Sequence, residues 1–240
     1  MRITGSDGLA IEFETVGRGH PLVLLHGFFG DRTTWHSAGY VDTLTDHFRL
    51  VLIDARGHGE SEAPHDSDGY AISRQVDDVL AVLDALEIEQ AAVWGASMGG
   101  IIGFHLLASH PERLTTLVAG GSHAVPITIG TAEAEAEAAV FRTQGTAPFI
   151  ETLERQGPLP LPTWMRTVIQ AADPNALAAW TIALDNRRQR PGRAGFLRRC
   201  AAPARMRSRP PTSRDAGDRR PDTRRQMRRD QASAGRGTSR

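Results

Sequence analysis

Apolar residues along this chain follow two rhythms that take turns. Residues 9–17, LAIEFETVG, alternate apolar with polar side chains and close on Gly17 and Gly19, the pattern of a half-buried strand that ends in a turn. PLVLLHG at residues 21–27 and RLVLIDA at residues 49–55 are continuously apolar, as suits strands covered on both faces of a parallel sheet. Between them, DRTTWHSAGYVDTLTDHF offers Asp31 as an N-cap and predicts a short helix. From Tyr70 to Leu86 the rhythm changes: Ile72, Val76, Val79, Leu80, Leu83 and Leu86 recur every three or four positions, with Asp77, Asp78 and Asp84 between them. That spacing predicts an amphipathic helix with one buried face.

AAVWGAS then predicts a further buried strand, MGGIIGFHLLASH a helix ended before Pro111, and LTTLVAGG, residues 114–121, another strand. Strand and helix alternate with short joints over residues 1–125, which predicts a doubly wound, mostly parallel α/β sheet. After Val125 the strands stop. TAEAEAEAAVFRTQ, APFIETLERQ, LPTWMRTVIQAA and PNALAAWTIALDN are four helical stretches parted by Gly and Pro, and residues 126–186 are expected to form a helical lid over the strand ends. The Glu-Ala alternation at 133–138 reads as a solvated helix surface, since helix propensity alone accounts for it.

Composition bounds the class. With 240 residues, 40% of them hydrophobic, the chain is long enough for one sizeable domain. No run of eighteen apolar residues suggests a membrane span, and the N-terminus lacks a basic start followed by an apolar core, so a soluble, cytoplasmic protein with no membrane partner is expected. A single cysteine, Cys200, excludes an internal disulfide framework and argues against a thiolate metal site. The formal charge of zero conceals a split: residues 1–186 hold ten arginines against 24 carboxylates, whereas residues 187–240 hold eighteen arginines against four aspartates.

The residues with chemical promise cluster at one motif. In Gly95-Ala96-Ser97-Met98-Gly99, two glycines flank a serine at minus two and plus two, between an apolar strand and a glycine-rich helix. A strand turning directly into a helix presses those two positions together and projects the serine hydroxyl at the top of the sheet. Gly100 and Gly103 allow the helix to approach the strands. Acyl transfer also needs backbone N–H donors for a developing oxyanion. The loop after the earlier strand, His26-Gly27-Phe28-Phe29-Gly30, supplies one, so the predicted donors are the amides of Phe28 and Met98. His26, at a strand end, is expected to shape this loop.

Taken in order, HGFFG, Asp54-Ala55-Arg56-Gly57-His58-Gly59-Glu60-Ser61 and GASMGG resemble the α/β-hydrolase superfamily, in its serine esterase, lactonase and perhydrolase-like branch. The resemblance covers residues 1 to about 186. It implies eight strands, a helical lid after the sixth, an acid after the seventh and a histidine after the eighth. It also implies a structural turn at DARGHGES, so Asp54, Arg56 and His58 are not carried over as catalytic. Serine at the elbow, where related dehalogenases and epoxide hydrolases carry aspartate, argues against those branches.

The resemblance thus implies a cofactor-independent serine hydrolase, needing no metal, that acts on a small ester, lactone or similar acyl substrate. Yet all nine histidines, at 20, 26, 36, 47, 58, 65, 105, 110 and 123, precede residue 124. Residues 187–240 offer almost no β-branched residue, and Asp215, Asp218 and Asp222 stand among arginines. The family's last strands, closing helix, acid and base therefore have no counterpart in this sequence, and impaired activity is expected. His123, after the sixth strand, is the first histidine to weigh as a substitute base. Three origins compete for the Arg-rich stretch: an out-of-frame reading, an ordinary extension, and an anion-binding tail, for which a nucleic-acid partner is the least favoured. Each predicts disorder. A non-catalytic binding protein of the same fold is the alternative reading.

Overall fold

A computed structural model of the protein describes residues 1–124, 129–157 and 160–184. Six strands, β1 (Arg2–Thr4), β2 (Ala10–Val16), β3 (His20–Leu25), β4 (Phe48–Ile53), β5 (Ala91–Ala96) and β6 (Leu114–Gly120), lie in the order β1-β2-β4-β3-β5-β6. β2 runs antiparallel to both β1 and β4, and β4, β3, β5 and β6 are mutually parallel. Only β1 has no precursor in the apolar pattern: three residues are too few to show a period.

The continuous apolar runs follow from having both faces covered. On one face Val23, Leu25, Val51, Ile53 and Val93 pack against helices α3 (Ile72–Ala85) and α4 (Met98–Ser109). On the other, Leu22, Leu24, Leu50 and Leu52 pack under Trp35 of α1 (Thr33–Ser37) and Val41 of α2 (Tyr40–Leu44). Neighbours in a strand point to opposite faces, so every residue in these runs must be apolar. The sequence predicts one helix between β3 and β4; there are two, because Gly39 takes φ 78° and breaks the turn. Asp31 accepts the Thr33 N–H at 2.8 Å but stands one residue before the N-cap, Arg32. Among the described residues β6 pairs only with β5, and Val118 on it is 49% exposed.

Past β6 come α5 (Thr131–Gln144), α6 (Ala147–Gln156), α7 (Thr163–Ala171) and α8 (Pro174–Ala183). Asp173 caps α8 by accepting the N–H groups of Asn175 and Ala176. The Glu-Ala segment of α5 is a solvated surface on its glutamate side, yet it hides a stripe: Ala134, Ala138 and Phe141 are fully buried. Ala138 and Phe141 pack with Leu177 and Ala178 of α8. Alanine every four residues lets two helices approach closely, a demand that alternation by two conceals. Membrane-spanning length and apolarity are absent from every helix among the described residues. The readings given for residues 187–240, with Cys200 and the three aspartates, fall outside the described residues.

Asp78 corrects the simple amphipathic reading of α3, since it lies on the buried side. Its two oxygens accept Nε and Nη2 of Arg56, each at 2.7 Å. The same guanidinium reaches Asp7 in the β1–β2 turn at 2.9 Å and the Gly69 carbonyl at 2.6 Å. Arg56 is 1% exposed, so this one cation joins the β1–β2 turn, the segment after β4 and α3. A buried pair adds little net stability, but losing one partner strands the other in an apolar interior. Arg56→Met is therefore expected to destabilise the fold by about 3 kcal/mol in urea unfolding. Adding Asp78→Leu should recover most of that loss; a double variant no more stable than the single one would contradict this account.

Candidate active site

The turn between β5 and α4 is built from contacts only glycine permits. A Cβ on Gly95 would lie 2.3 Å from the Gly99 carbonyl carbon, and one on Gly99 would lie 2.2 Å from the Leu25 oxygen in β3. Gly100 and Gly103 are likewise tight against Ser122 and Leu117. Pinched between them, Ser97 adopts φ 48° and ψ −109°, a conformation costly for a residue with a Cβ. Its N–H is anchored on the Gly120 carbonyl at 2.8 Å, and its side chain is exposed.

The loop after β3 lies against this turn. A Cβ on Gly27 would meet the Ser97 Cβ at 3.5 Å, and the Gly99 N–H donates to the His26 carbonyl at 3.1 Å. Among the described residues neither the Phe28 N–H nor the Met98 N–H has an acceptor. Met98 opens α4, so its amide is one of the donors a helix N-terminus leaves free. An exposed hydroxyl and two unengaged amides thus meet where β3 and β5 end.

Two buried imidazoles support the loop. His26 accepts the Ala55 N–H on Nε2 at 3.0 Å, which places its proton on Nδ1, 2.8 Å from the Gly27 carbonyl. This is the loop-shaping place expected for it. His58 packs beside it at 5.1 Å between ring centres, with Nε2 2.6 Å from the Phe28 carbonyl. Asp54, fully buried, accepts the N–H groups of Arg32 at 2.7 Å and Glu60 at 2.9 Å, and pairs with the Arg32 guanidinium. Burial pushes its carboxyl up.

Above the loop, the Phe28 ring meets Trp180 at 4.8 Å and Phe141 at 6.0 Å, while Phe29 meets Phe149 at 5.6 Å. Rings from α5, α6 and α8 therefore lay apolar surface on the loop after β3. The sequence pattern identified those helices but gave no sign of which aromatic residues would reach the loop. His123 is exposed and makes no hydrogen bond among the described residues, and no described imidazole bonds the Ser97 hydroxyl. Nor do the described residues gather three or more His, Cys, Asp or Glu side chains in metal-binding proximity.

Two stability measurements follow. Ser97→Gly removes the penalty of a Cβ at φ 48° and should raise the unfolding free energy by about 1 kcal/mol, net of glycine's extra freedom in the unfolded chain. Ser97→Ala, which keeps its Cβ, should not. Burial pushes the His58 imidazole down to about 4, with the nearby His26 adding to the effect, and pushes His105 to about 4; His26 also shifts down through burial. An unfolded imidazole titrates near ~6.5, so between there and about pH 4 the unfolded chain binds more protons. Stability should therefore fall as pH drops through that window, by about 3 kcal/mol from His58 alone. Urea midpoints that stay flat from pH 7 to pH 4.5 would contradict the buried neutral rings.

Comparison with known proteins agrees with this architecture. The sequence profile of the alpha/beta hydrolase fold matches residues 20–184. Over 126 residues the chain is 40% identical to the 2-hydroxymuconate semialdehyde hydrolase of Pseudomonas sp. (strain CF600), covering 51% of this chain and 44% of that one. Over 153 residues it is 32% identical to 3-oxoadipate enol-lactonase 2 of Acinetobacter baylyi, covering 62% and 54%. Among solved structures, the bottromycin epimerase BotH superposes with a TM-score of 0.70 at 30% identity, covering 77% of this chain and 72% of that one. The chain spans about half the length of the curated relatives it matches. Six strands in this order, the glycine-pinched turn and a profile match over most of the described residues lead to one assignment: the chain belongs to the alpha/beta hydrolase fold family.

Proposed function

We propose that this chain carries the nucleophile and oxyanion-binding half of a serine hydrolase for small esters or lactones. The single observation that carries the reading is the forced φ of 48° at Ser97 beside two amides without acceptors among the described residues. In this reading the Ser97 oxygen attacks the substrate carbonyl carbon, and the carbonyl oxygen, becoming an oxyanion, accepts the N–H groups of Phe28 and Met98. The Ser97 proton must leave during attack, the departing alkoxide must gain one, and water must then hydrolyse the acyl ester left on Ser97, releasing the acid and restoring the hydroxyl. A histidine normally serves these proton transfers. Among the described residues no imidazole bonds the Ser97 hydroxyl; in this reading water or buffer takes the proton, and turnover is slow. The enol-lactonase relative supports the choice of an ester or lactone substrate.

A second reading, a binding protein of this fold without hydrolytic turnover, gains weight from the absence, among the described residues, of an imidazole bonded to the Ser97 hydroxyl. p-Nitrophenyl acetate hydrolysis and fluorophosphonate labelling separate the two. Attack by Ser97 with solvent taking its proton predicts slow labelling and turnover that Ser97→Ala lowers, at a rate about a thousandfold or more below that of a relative with an intact triad. A folded chain with neither labelling nor Ser97-dependent turnover would establish the non-catalytic reading. Turnover as fast as the intact relative's would show that a base acts on Ser97 after all.

A further inference from the structure

The geometry points to His58 as a positioning residue for the Phe28 N–H, acting through the Phe28 carbonyl; the inference rests on the proposed role of that amide. Phe28 belongs to two peptide planes. In the plane before it, the Gly27 carbonyl accepts the Gly30 N–H at 2.8 Å and faces His26 Nδ1 at 2.8 Å. The described residues have no cis peptide bond, so the Phe28 N–H points away from that carbonyl. In the plane after it, the Phe28 carbonyl faces His58 Nε2 at 2.6 Å. Rotation about the two Phe28 backbone bonds joins the planes. With the first plane tied at the Gly27 carbonyl, holding the second at the Phe28 carbonyl limits the remaining rotation by which the N–H could tilt.

His58 comes from the segment after β4, outside the loop it steadies. Its Nδ1 lies 3.1 Å from the Arg56 carbonyl, so the ring touches two acceptors, while a neutral imidazole has one proton to give. The shorter contact takes it, making His58 an Nε2–H donor to Phe28. The ring is 4% exposed and packs on His26 at 5.1 Å and on the Phe28 ring at 6.1 Å. With Arg56 held by Asp78 and Asp7 behind it, the donor stands on a rigid base. Charged and polar groups that face the ring are His26 and, through the field of the loop, Asp54. Oxyanion donors act over a narrow distance range, and losing one outright lowers turnover by about a hundred- to a thousandfold. Loosening one should cost about ten- to a hundredfold.

The experiment uses the full chain and two variants. Gln at this position can offer an N–H where His58 Nε2 lies; Leu cannot. His58→Leu should lower kcat for p-nitrophenyl acetate by about ten- to a hundredfold with KM changed less than about threefold, and His58→Gln should recover most of the loss. In parallel, 15N relaxation should show the Phe28 backbone amide ordered in the native chain and in His58→Gln, and mobile in His58→Leu. In the unmodified chain the His58 ring should give the 15N signature of the Nε2–H tautomer. An Nδ1–H tautomer, an equally ordered Phe28 amide in His58→Leu, or a kcat loss that Gln does not rescue would overturn the assignment. If the native chain shows no Ser97-dependent turnover, the hydrolase reading fails, and the tautomer and the Phe28 amide still decide the role of His58. Should His58→Leu not fold, the tautomer and the His58→Gln amide carry the test.

Discussion

The close passage of the first turn of α4 across the ends of β3 and β5 is the constraint on which the rest of the site depends. Backbone meets backbone there: a methyl group on Gly99 would come within 2.2 Å of the Leu25 oxygen, and one on Gly95 within 2.3 Å of Gly99. No flexible side chain could yield to relieve such a contact. Ser97, the residue between, absorbs the bend in its own φ and ψ. The strain persists because the surroundings fix both ends, with the Ser97 N–H on Gly120 and the Gly99 N–H on His26. Of the strands that lead to those partners, β3 is buried from Leu22 to Leu25, whereas β6 is largely exposed and is held through its pairing with β5.

Polar groups at the same end of the sheet transmit that rigidity sideways. Loops that leave a buried sheet carry amides and carbonyls that must be satisfied away from water. His26, Asp54 and His58 satisfy them across loops: His26 takes the Ala55 amide, Asp54 takes those of Arg32 and Glu60, and His58 reaches Phe28. The segment after β4 contributes no group with an evident chemical role, yet the loop after β3 is held by it. Arg56 extends the chain of contacts to α3 and the β1–β2 turn.

How much of this was legible in the sequence depends on whether a feature leaves a local period. β3, β4 and β5 announce themselves because both faces are apolar; β1 is too short to do so. The split between α1 and α2 was missed because a single Gly39 in an otherwise helical stretch is ambiguous until its φ is known. Asp78 was misplaced because burial of a carboxylate depends on a cation from a distant segment, and Arg56 lies 22 residues away. At the site, Gly95, Ser97 and Gly99 were readable, since steric demands select residue types. The two amides were not distinguishable by residue type, since Phe28 and Met98 offer only backbone; position in the motif pointed to them. The work of His58 left no trace beyond its place in DARGHGES.

The proposed chemistry divides along the same line. An oxyanion site made of backbone amides is completed by elements adjacent in space: the loop after β3 and the start of α4, both positioned by parallel strands that pair directly. A proton relay needs side chains delivered from farther along the chain, each by its own strand or loop. The first half can therefore be fully formed where the second is not, and the two differ in what they supply. Preorganised dipoles act on developing charge without moving, whereas a base must be correctly protonated and within reach when attack occurs. A chain holding the first half alone keeps the stabilisation of the intermediate and loses control of the proton. Its selectivity would then rest on how the aromatic surface of α5, α6 and α8 presents an acyl group to Ser97, more than on acid-base matching at the reacting atoms.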